Sequence, residues 1–337
     1  MIITPLAAGE PLTCLAGYTE ALRPRPYDYL APLTGELLAR YLRGALESLC
    51  GQGAHLLVAR TDKGPAAVLA WRRLGFDSDL FGFPVARLEH LGGLGGPRTQ
   101  EALLASLLAR AEEDWRTAGI ALLYAKVRME HLPAQRALAR HGFSPVGGWI
   151  NYGLWLERWE CPRLTHPASL RPATAEDARI LENLAAQSFA LDRFHSDPRI
   201  SPTRADQLHR FWIRNSVTGK AAQAVLVAEN DLGQVSGFLT YNIRDEAPEK
   251  LDGLRLARVI LNAVDARERG QGVYPKMLSN VILECQGQAD FLSAETQINN
   301  YAVQRSWAKL GLAPVESGLN FHYWLQPEGE ESGDRGR

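Results

Sequence analysis

The feature that most constrains the fold of this chain is an internal repeat with an offset of 169 residues. When residues 134–156 are aligned with residues 303–325, nine of the 23 positions are identical, whereas background composition gives about one or two. In the first copy the identical residues are Gln135, Arg136, Ala139, Gly142, Pro145, Val146, Asn151, Trp155 and Leu156. Coincidence between two helix-to-strand joints is the alternative, because glycine is common just after a helix. Since the offset is half of the 337-residue chain, the repeat favours two copies of one fold.

Hydrophobic periodicity gives both halves the same order of elements. In the first half, the apolar stripe of residues 101–118 predicts a helix, and IALLYAKV predicts a buried strand. In the second half, the strand ARVILNAV precedes a helix over 273–286, and the strand FLSAETQI precedes a helix over 302–310. Each half therefore has the order strand, strand, strand, helix, strand, helix, strand, which is typical of an α/β protein with a mixed central sheet.

These patterns predict a tandem fold with one copy over 1–165, a second copy over 166–330 and a flexible tail over 331–337. The segment CPRLTHPASL, residues 161–170, is the predicted linker because it contains proline and no periodic apolar pattern. The tail is charged and rich in glycine, which is typical of a frayed terminus.

Composition and charge exclude several classes of protein. Lys+Arg 37 and Asp+Glu 38 leave a formal net charge of −1, which gives no overall attraction to nucleic acid or to an anionic membrane. No apolar run approaches the ~18 residues that span a bilayer, and the N-terminal MIITPLAAGEPL has no signal-peptide pattern. The four cysteines are far apart and have no metal-ligand spacing. We therefore expect a cytoplasmic protein with no nucleic-acid partner, no membrane span and no metal.

The motif that carries chemistry lies between the strand ARVILNAV and the helix that begins near residue 273. Arg267, Gly270 and Gly272 form the pattern R-x-x-G-x-G. A glycine-rich turn at a helix N-terminus directs unpaired N–H groups outward beside the positive end of the helix dipole, and glycine lets the backbone approach phosphate oxygens. The pattern therefore predicts a pyrophosphate site, with an ordinary tight turn as the alternative. The P-loop spacing is absent, and the glycines follow a late strand, unlike those of the dinucleotide-binding fingerprint.

Residues 169–326 resemble the GCN5-related N-acetyltransferase (GNAT) superfamily, in which this motif follows the fourth strand and holds the pyrophosphate of acetyl-CoA. The resemblance rests on LRPATAEDA, ARVILNAV, DARERGQG and TQINNYAVQRSWAKLGL. It implies that acetyl-CoA is the co-substrate and that the strand before the loop splays from the next strand, so that the pantetheine arm and acetyl carbonyl fit between them. The contacts that it implies come from Leu261, Ala263, Val264, Arg267, Gly270, Gln271, Gly272, Val273, Tyr274 and Asn300.

A narrower resemblance extends through both halves, to the TDP-fucosamine acetyltransferases, bacterial enzymes that acetylate the amino group of a nucleotide-linked aminosugar. The resembling stretches are residues 76–88, 185–195, 210–220 and 295–305. In that family too, a degenerate acetyltransferase-like half precedes the working half. The first half of this chain has no R-x-x-G-x-G before its helix, and Pro97 after GGLGG removes one N–H donor.

The resemblance does not decide which residues act as the catalytic acid and base. Many members of the family place a tyrosine, as the acid that protonates the leaving thiolate, where this chain has Trp307, whose indole N–H cannot act as an acid at neutral pH. Solvent is one substitute, and the others are tyrosines that are otherwise core or interface residues: Tyr301, Tyr274 and Tyr323. The candidate bases for the attacking amine are Glu295 and His322, with a solvated strand end and a structural histidine as the respective alternatives.

Substrate contacts are predicted from charge. Cationic side chains suit diphosphate oxygens, and those in the resembling stretches are Arg193, His195, Arg214 and Lys220; ordinary exposed charges are the alternative. In FDSDLFGF, Asp77 and Asp79 are expected to be turn residues and Phe81 and Phe83 core residues, with a substrate-facing role as the alternative. Three functions follow: acetylation of a nucleotide-linked aminosugar, acylation of another amine (a polyamine, an antibiotic or a peptide N-terminus), or non-catalytic acyl-CoA binding. A homodimer is left open.

Overall fold

The computed structural model describes residues 1–6, 10–162, 168–189 and 192–325. The chain forms two compact units, which we describe separately. The first contains Met1–Val146 together with the residues from Gly318, and the second contains Gly147–Ser317. The predicted linker lies partly outside the described residues, and the predicted tail lies entirely outside them.

The first unit is a sheet in the order β1-β2-β3-β4-β5-β12, with helices packed on it. Only β4 and β5 run parallel in this order. Its strands are β1 (Ile2–Pro5), β2 (His55–Thr61), β3 (Gly64–Arg73), β4 (Val85–Gly93), β5 (Leu122–Arg128) and the C-terminal part of β12 (Ala313–Trp324). Its helices are α1 (Ala16–Ala21), α2 (Gly35–Gly51), α3 (Gly75–Phe81), α4 (Pro97–Thr117) and α5 (Leu132–His141).

The second unit has the matching order β6-β11-β10-β9-β8-β7, in which only β10 and β11 run parallel. Its strands are β6 (Ser144–Trp155, from Gly147 on), β7 (Ser169–Pro172), β8 (Ala224–Glu229), β9 (Val235–Asn242), β10 (Leu256–Val264) and β11 (Phe291–Gln297). Its helices are α6 (Ala178–Ala186), α7 (Pro202–Val217), α8 (Val273–Cys285) and α9 (Tyr301–Lys309). The mixed α/β fold class predicted from the sequence is confirmed.

The last strand of each half belongs to the unit formed mainly by the other half. Residues 149–155 of β6 pair with 291–297 of β11, whereas residues 318–324 of β12 pair with 122–128 of β5. The compact units therefore depart from the predicted boundaries 1–165 and 166–330, because both terminal strands are exchanged. The division of the sequence into two copies at that point stays a prediction.

Two apolar clusters cover opposite faces of the sheet in the second unit. On one face, Leu292 and Ala294 of β11 pack in a cluster with α8 and α9. On the other face, Phe238 and Leu261 pack in a cluster with α6 and α7. Because side chains alternate along a strand, Glu295 of β11 points to the face on which α6 and α7 lie.

One local prediction in the first half is wrong. Asp77 and Asp79 are not turn residues, because both lie in α3, which ends at Gly82 with a positive φ of 74°. The prediction for Phe81 is confirmed, since its ring is 1% exposed and stacks on Phe83 with a centroid distance of 6.0 Å. Phe83 itself is half-buried.

Candidate active site

Strands β10 and β11 separate halfway along their length. Their parallel ladder joins Leu256–Val259 to Phe291–Ala294 and ends there. Beyond this point β10 continues on β9, with a register shift between Val259 and Leu261, and β11 continues on β6. The divergence leaves an opening between two neighbouring strands, as the GNAT resemblance implies.

Backbone alternation decides which groups face this opening. The Leu261 N–H donates to Thr240 Oγ1 at 2.9 Å, and the Asp265 N–H donates to the Ser236 carbonyl at 2.8 Å, so both point toward β9. The backbone groups between them alternate, which directs those of Asn262 and Val264 toward the opening. The backbone groups of Leu261 and Ala263 therefore face β9, whereas those of Asn262 and Val264 face the opening. The predicted contacts of Leu261, Ala263 and Val264 with acetyl-CoA stay predictions.

The loop after β10 is ordered by one carboxylate. Asp265 accepts the Arg267 N–H at 2.9 Å and pairs with the Arg267 guanidinium through bonds of 3.0 and 2.9 Å. These bonds with Arg267 lower the pKa of Asp265 to about 2. The Arg267 side chain is still 83% exposed, and Gln271 Nε2 donates to the Arg267 carbonyl at 2.9 Å. A cation is therefore held at the mouth of the loop.

The two glycines of the motif adopt backbone conformations that other residues rarely adopt. Gly270 has a φ of 80° and Gly272 a φ of 99°. Gly272 is the N-cap of α8, and no side chain caps this helix end. The N–H groups of Val273 and Tyr274 have no acceptor among the described residues, while Pro275 has no N–H to donate. Unpaired backbone N–H groups at a helix N-terminus, beside the positive end of the helix dipole, are a combination that suits an anion.

A buried hydrogen bond joins α9 to the first turn of α8. Trp307, fully buried, donates its indole N–H to the Tyr274 hydroxyl at 2.7 Å. Burial raises the pKa of Tyr274, and the hydrogen bond from Trp307 partly offsets this rise. The Tyr152 ring lies 5.3 Å from the Trp307 ring, so β6 also contributes to this cluster.

The other two candidate acids have different surroundings. Tyr301 is 63% exposed at the start of α9. Tyr323 belongs to the first unit, where its hydroxyl donates to Glu112 at 3.1 Å and burial raises its pKa to about 12.

The two candidate bases fall in different units. Glu295 is exposed on β11 in the second unit, in register with Asn151 of β6. His322 is buried in the first unit, in register with Tyr124 of β5 and with a ring-centroid distance of 5.1 Å to it. The second unit thus contains Glu295, the glycine loop and Asn300, whose amide donates to Thr296 Oγ1 at 3.0 Å.

The four cations predicted to bind diphosphate have varied partners. His195 lies between Asp192 (2.7 Å) and Asp206 (3.1 Å), and Arg214 forms two bonds to Glu182 of 2.6 and 2.7 Å. The Arg193 guanidinium lies 4.4 Å from the Phe194 ring centroid. Lys220 is exposed and lies three residues after the end of α7. His195 and Arg214 are therefore both paired with local carboxylates, which the sequence spacing did not indicate.

The first unit has a corresponding divergence with a different loop. The β4–β5 ladder ends at Leu88 and Ala125. The following helix has Pro97 in its first turn, which removes one N–H donor from the position equivalent to the start of α8. The Tyr18 hydroxyl lies 2.7 Å from His90 Nε2, close against Gly92.

Within the described residues, no group of three or more His, Cys, Asp or Glu side chains is arranged to hold a metal ion. No helix in the described ranges is long and apolar enough to cross a membrane.

Comparisons with known proteins give a fold and one distant relative. No family model matches the sequence. The chain is 27% identical over 156 residues to the spore coat polysaccharide biosynthesis protein SpsD of Bacillus subtilis, a match that covers 46% of this chain and 50% of SpsD. It therefore spans about half the length of that curated relative.

Three solved structures are similar along nearly the whole chain. A tandem GNAT protein from the clavulanic acid biosynthesis pathway has 17% identity and a TM-score of 0.57, with 97% of this chain and 99% of that chain covered. A GCN5-related N-acetyltransferase from Sphaerobacter thermophilus has 16% identity and a TM-score of 0.63, with 96% of each chain covered. A glucosamine N-acetyltransferase region of a fungal multi-domain protein has 14% identity and a TM-score of 0.64, with 96% of this chain and 38% of that chain covered. The chain therefore has a tandem GNAT fold, as the resemblance implies.

Proposed function

We propose that the protein is an acetyl-CoA-dependent N-acetyltransferase whose working site lies in the second unit. The observation that carries this proposal is the end of the β10–β11 ladder at Val259 and Ala294, close in sequence to an uncapped, glycine-rich helix start. An opening between strands suits an extended arm with amide groups, and the helix start suits a pyrophosphate.

The residues of this unit fit acetyl-CoA, which supplies an activated acyl thioester. The N–H groups of Gly272, Val273 and Tyr274 would donate to the pyrophosphate, and Arg267 would add a cation at the same place. Backbone groups of Asn262 and the Val264 N–H would pair with the pantetheine amides, while the Val264 carbonyl already accepts from Arg269 Nε at 3.1 Å. Asn300, at the N-cap of α9, would contact the same arm from the other side of the opening.

Glu295 is the base that we favour for the attacking amine. Its strand borders the opening, and its carboxylate points to the face on which α6 and α7 lie, opposite the Trp307–Tyr274 pair. An ammonium must lose a proton before it attacks the thioester carbonyl, and a carboxylate can accept that proton directly or through water. His322 belongs to the first unit and takes no part in this step.

For the acceptor we propose an amine on a nucleotide-linked deoxysugar. Support comes from the resemblance to the TDP-fucosamine acetyltransferases and from the partial match to SpsD, which is named for polysaccharide biosynthesis. The fungal structure is likewise named for glucosamine, although at 14% identity. Lys220, which is exposed, and Arg193 would be the cations for the diphosphate.

A thiol-release assay with acetyl-CoA and a panel of amines tests the proposal. The panel contains nucleotide-linked aminosugars, a polyamine, an aminoglycoside and a peptide with a free N-terminus. We expect thiol release with an aminosugar nucleotide and much slower release with the others. Turnover of another amine alone would correct the acceptor, whereas acetyl-CoA binding without any turnover would indicate a non-catalytic acyl-CoA-binding protein.

A further inference from the structure

The Tyr274 hydroxyl is a buried polar group with only half of its hydrogen bonding accounted for. Its oxygen accepts the Trp307 indole N–H at 2.7 Å. An indole N–H can only donate, so this bond uses a lone pair of the phenol and leaves the phenolic proton available. No acceptor for that proton lies within hydrogen-bonding distance in the described part of the chain. Because a buried donor without an acceptor is costly, the site calls for a ligand atom that accepts a proton or a hydrogen bond.

Tyr274 also lies near the glycine loop and near the point where β10 and β11 separate. Tyr274 and Trp307 belong to the same buried cluster as Val259 and Ala294, the last pair of strand residues before the opening. Tyr274 is the second residue of α8, directly after the glycine loop. A ligand held by that loop and extended into the opening would therefore pass the phenol.

We propose that Tyr274 is the proton donor to the CoA sulfur and that Trp307 is a positioning residue that aims its hydroxyl. This inference rests on the proposed function. When the amine attacks the carbonyl carbon and the C–S bond breaks, the electron pair of that bond goes to sulfur. The Tyr274 proton moves to this sulfur, which gives the free thiol, and solvent reprotonates the phenolate.

Trp307 contributes through the direction of its single donor. With the indole N–H fixed on one lone pair, the phenolic O–H points away from α9. This division of roles explains how a site with Trp307 in the α9 position can retain a proton donor: the acid is supplied by α8 instead. Tyr301, which is 63% exposed, has no comparable constraint in the described residues.

The first experiment compares the affinities of CoA and desulfo-CoA for the wild-type protein by calorimetry, without an acceptor. A hydrogen bond from Tyr274 to the thiol sulfur should make CoA bind about fivefold more tightly than desulfo-CoA. Tyr274→Phe should remove this preference while leaving the affinity for desulfo-CoA within about twofold. Tyr241→Phe is the matched control, because it removes another buried hydroxyl of the same cluster, one bonded to Glu284 at 2.6 Å; the preference should persist.

The second experiment measures turnover once an amine substrate is in hand. Tyr274→Phe should lower kcat by about 10²-fold with an unchanged KM for acetyl-CoA, and Trp307→Phe should lower kcat by a smaller factor. Trp307→Phe should also move the alkaline limb of the pH–rate profile to higher pH, because the lost indole N–H no longer offsets the raised pKa of Tyr274.

The outcomes separate this inference from the proposed function. Equal affinity of the wild type for CoA and desulfo-CoA, or a preference that survives Tyr274→Phe, would overturn the role of Tyr274 and leave CoA binding intact. A wild-type protein that binds neither ligand would refute the proposed function, and the inference with it. The expected result is that the wild type and Tyr241→Phe bind CoA more tightly than desulfo-CoA, whereas Tyr274→Phe binds the two ligands equally.

Discussion

Val259 of β10 and Ala294 of β11 form the last cross-strand pair of the parallel ladder in the second unit. Both side chains are buried, at 4% and 0% exposure, so the ladder ends inside the core rather than at a frayed edge. The register shift between Val259 and Leu261 turns the rest of β10 onto β9. A β-bulge next to an active site commonly re-aims a strand in this way.

The Asn262 backbone provides a direct test of this geometry. Asn262→Pro removes an N–H that points toward the opening and does not serve the β9 ladder. We expect the protein to remain folded and the affinity for acetyl-CoA to fall about fivefold, as for the loss of one hydrogen bond. Calorimetry together with thermal unfolding checks both parts. Unchanged affinity in a folded variant would place the pantetheine arm elsewhere.

Removing the carboxylate of Glu295 tests the proposed base. Glu295→Gln should lower kcat by about 10²-fold and alter the acidic limb of the pH–rate profile, because the amide cannot accept a proton. Glu249→Gln, the same change at an exposed position, should have no effect on turnover. His322→Gln should change stability more than turnover, since His322 is buried in the first unit.

If Glu295→Gln keeps near-normal turnover and an unchanged profile, the amine loses its proton to solvent. Catalysis would then rest on positioning the two substrates.

His90 in the first unit should make stability depend on pH. Burial, with a smaller contribution from His131, lowers the pKa of His90 from its ordinary 6.5 to about 4. The unfolded chain therefore takes up a proton near pH 6.5, whereas the folded protein does so only near pH 4. The contribution of His90 to the free energy of unfolding is therefore fully present above pH 6.5. It falls by up to about 3 kcal/mol as the pH drops to 4, and then levels out.

His90→Gln should make the free energy of unfolding less dependent on pH, because glutamine does not titrate but can still form a hydrogen bond with the Tyr18 hydroxyl. Denaturant unfolding between pH 4 and 7 measures the difference. If the free energy of unfolding changes with pH equally in the two proteins, His90 is not the group responsible.

The sequence was most informative where one short segment determines both structure and chemistry. Arg267, Gly270 and Gly272 predicted a loop at a helix start, and the loop has the two positive φ values that such glycines allow. The repeat of residues 134–156 at 303–325 likewise predicted two similar copies, and the two units have matching strand orders.

Features that depend on distant contacts could not be predicted from the sequence. The repeat aligns the terminal strands β6 and β12, but their alignment does not determine which unit each strand joins. The partners of His195 and Arg214 also stayed hidden, because Asp206 and Glu182 lie 11 and 32 residues away. Sequence comparison placed Trp307 at the usual tyrosine position, but only the structure revealed its hydrogen bond to Tyr274.

Acetyl-CoA titration of Gly272→Glu by calorimetry tests whether the glycine loop before α8 holds the pyrophosphate of acetyl-CoA. Glutamate at this helix start would place a carboxylate against the pyrophosphate and strain a φ of 99°. Gly233→Glu is the matched control, since it has the same charge change and a similar φ of 72° in the turn before β9. We predict one site per chain in the wild type and in the control, and no binding in Gly272→Glu. Two sites per chain, or affinity of Gly272→Glu within threefold of the wild type, would contradict a single acetyl-CoA site at this loop.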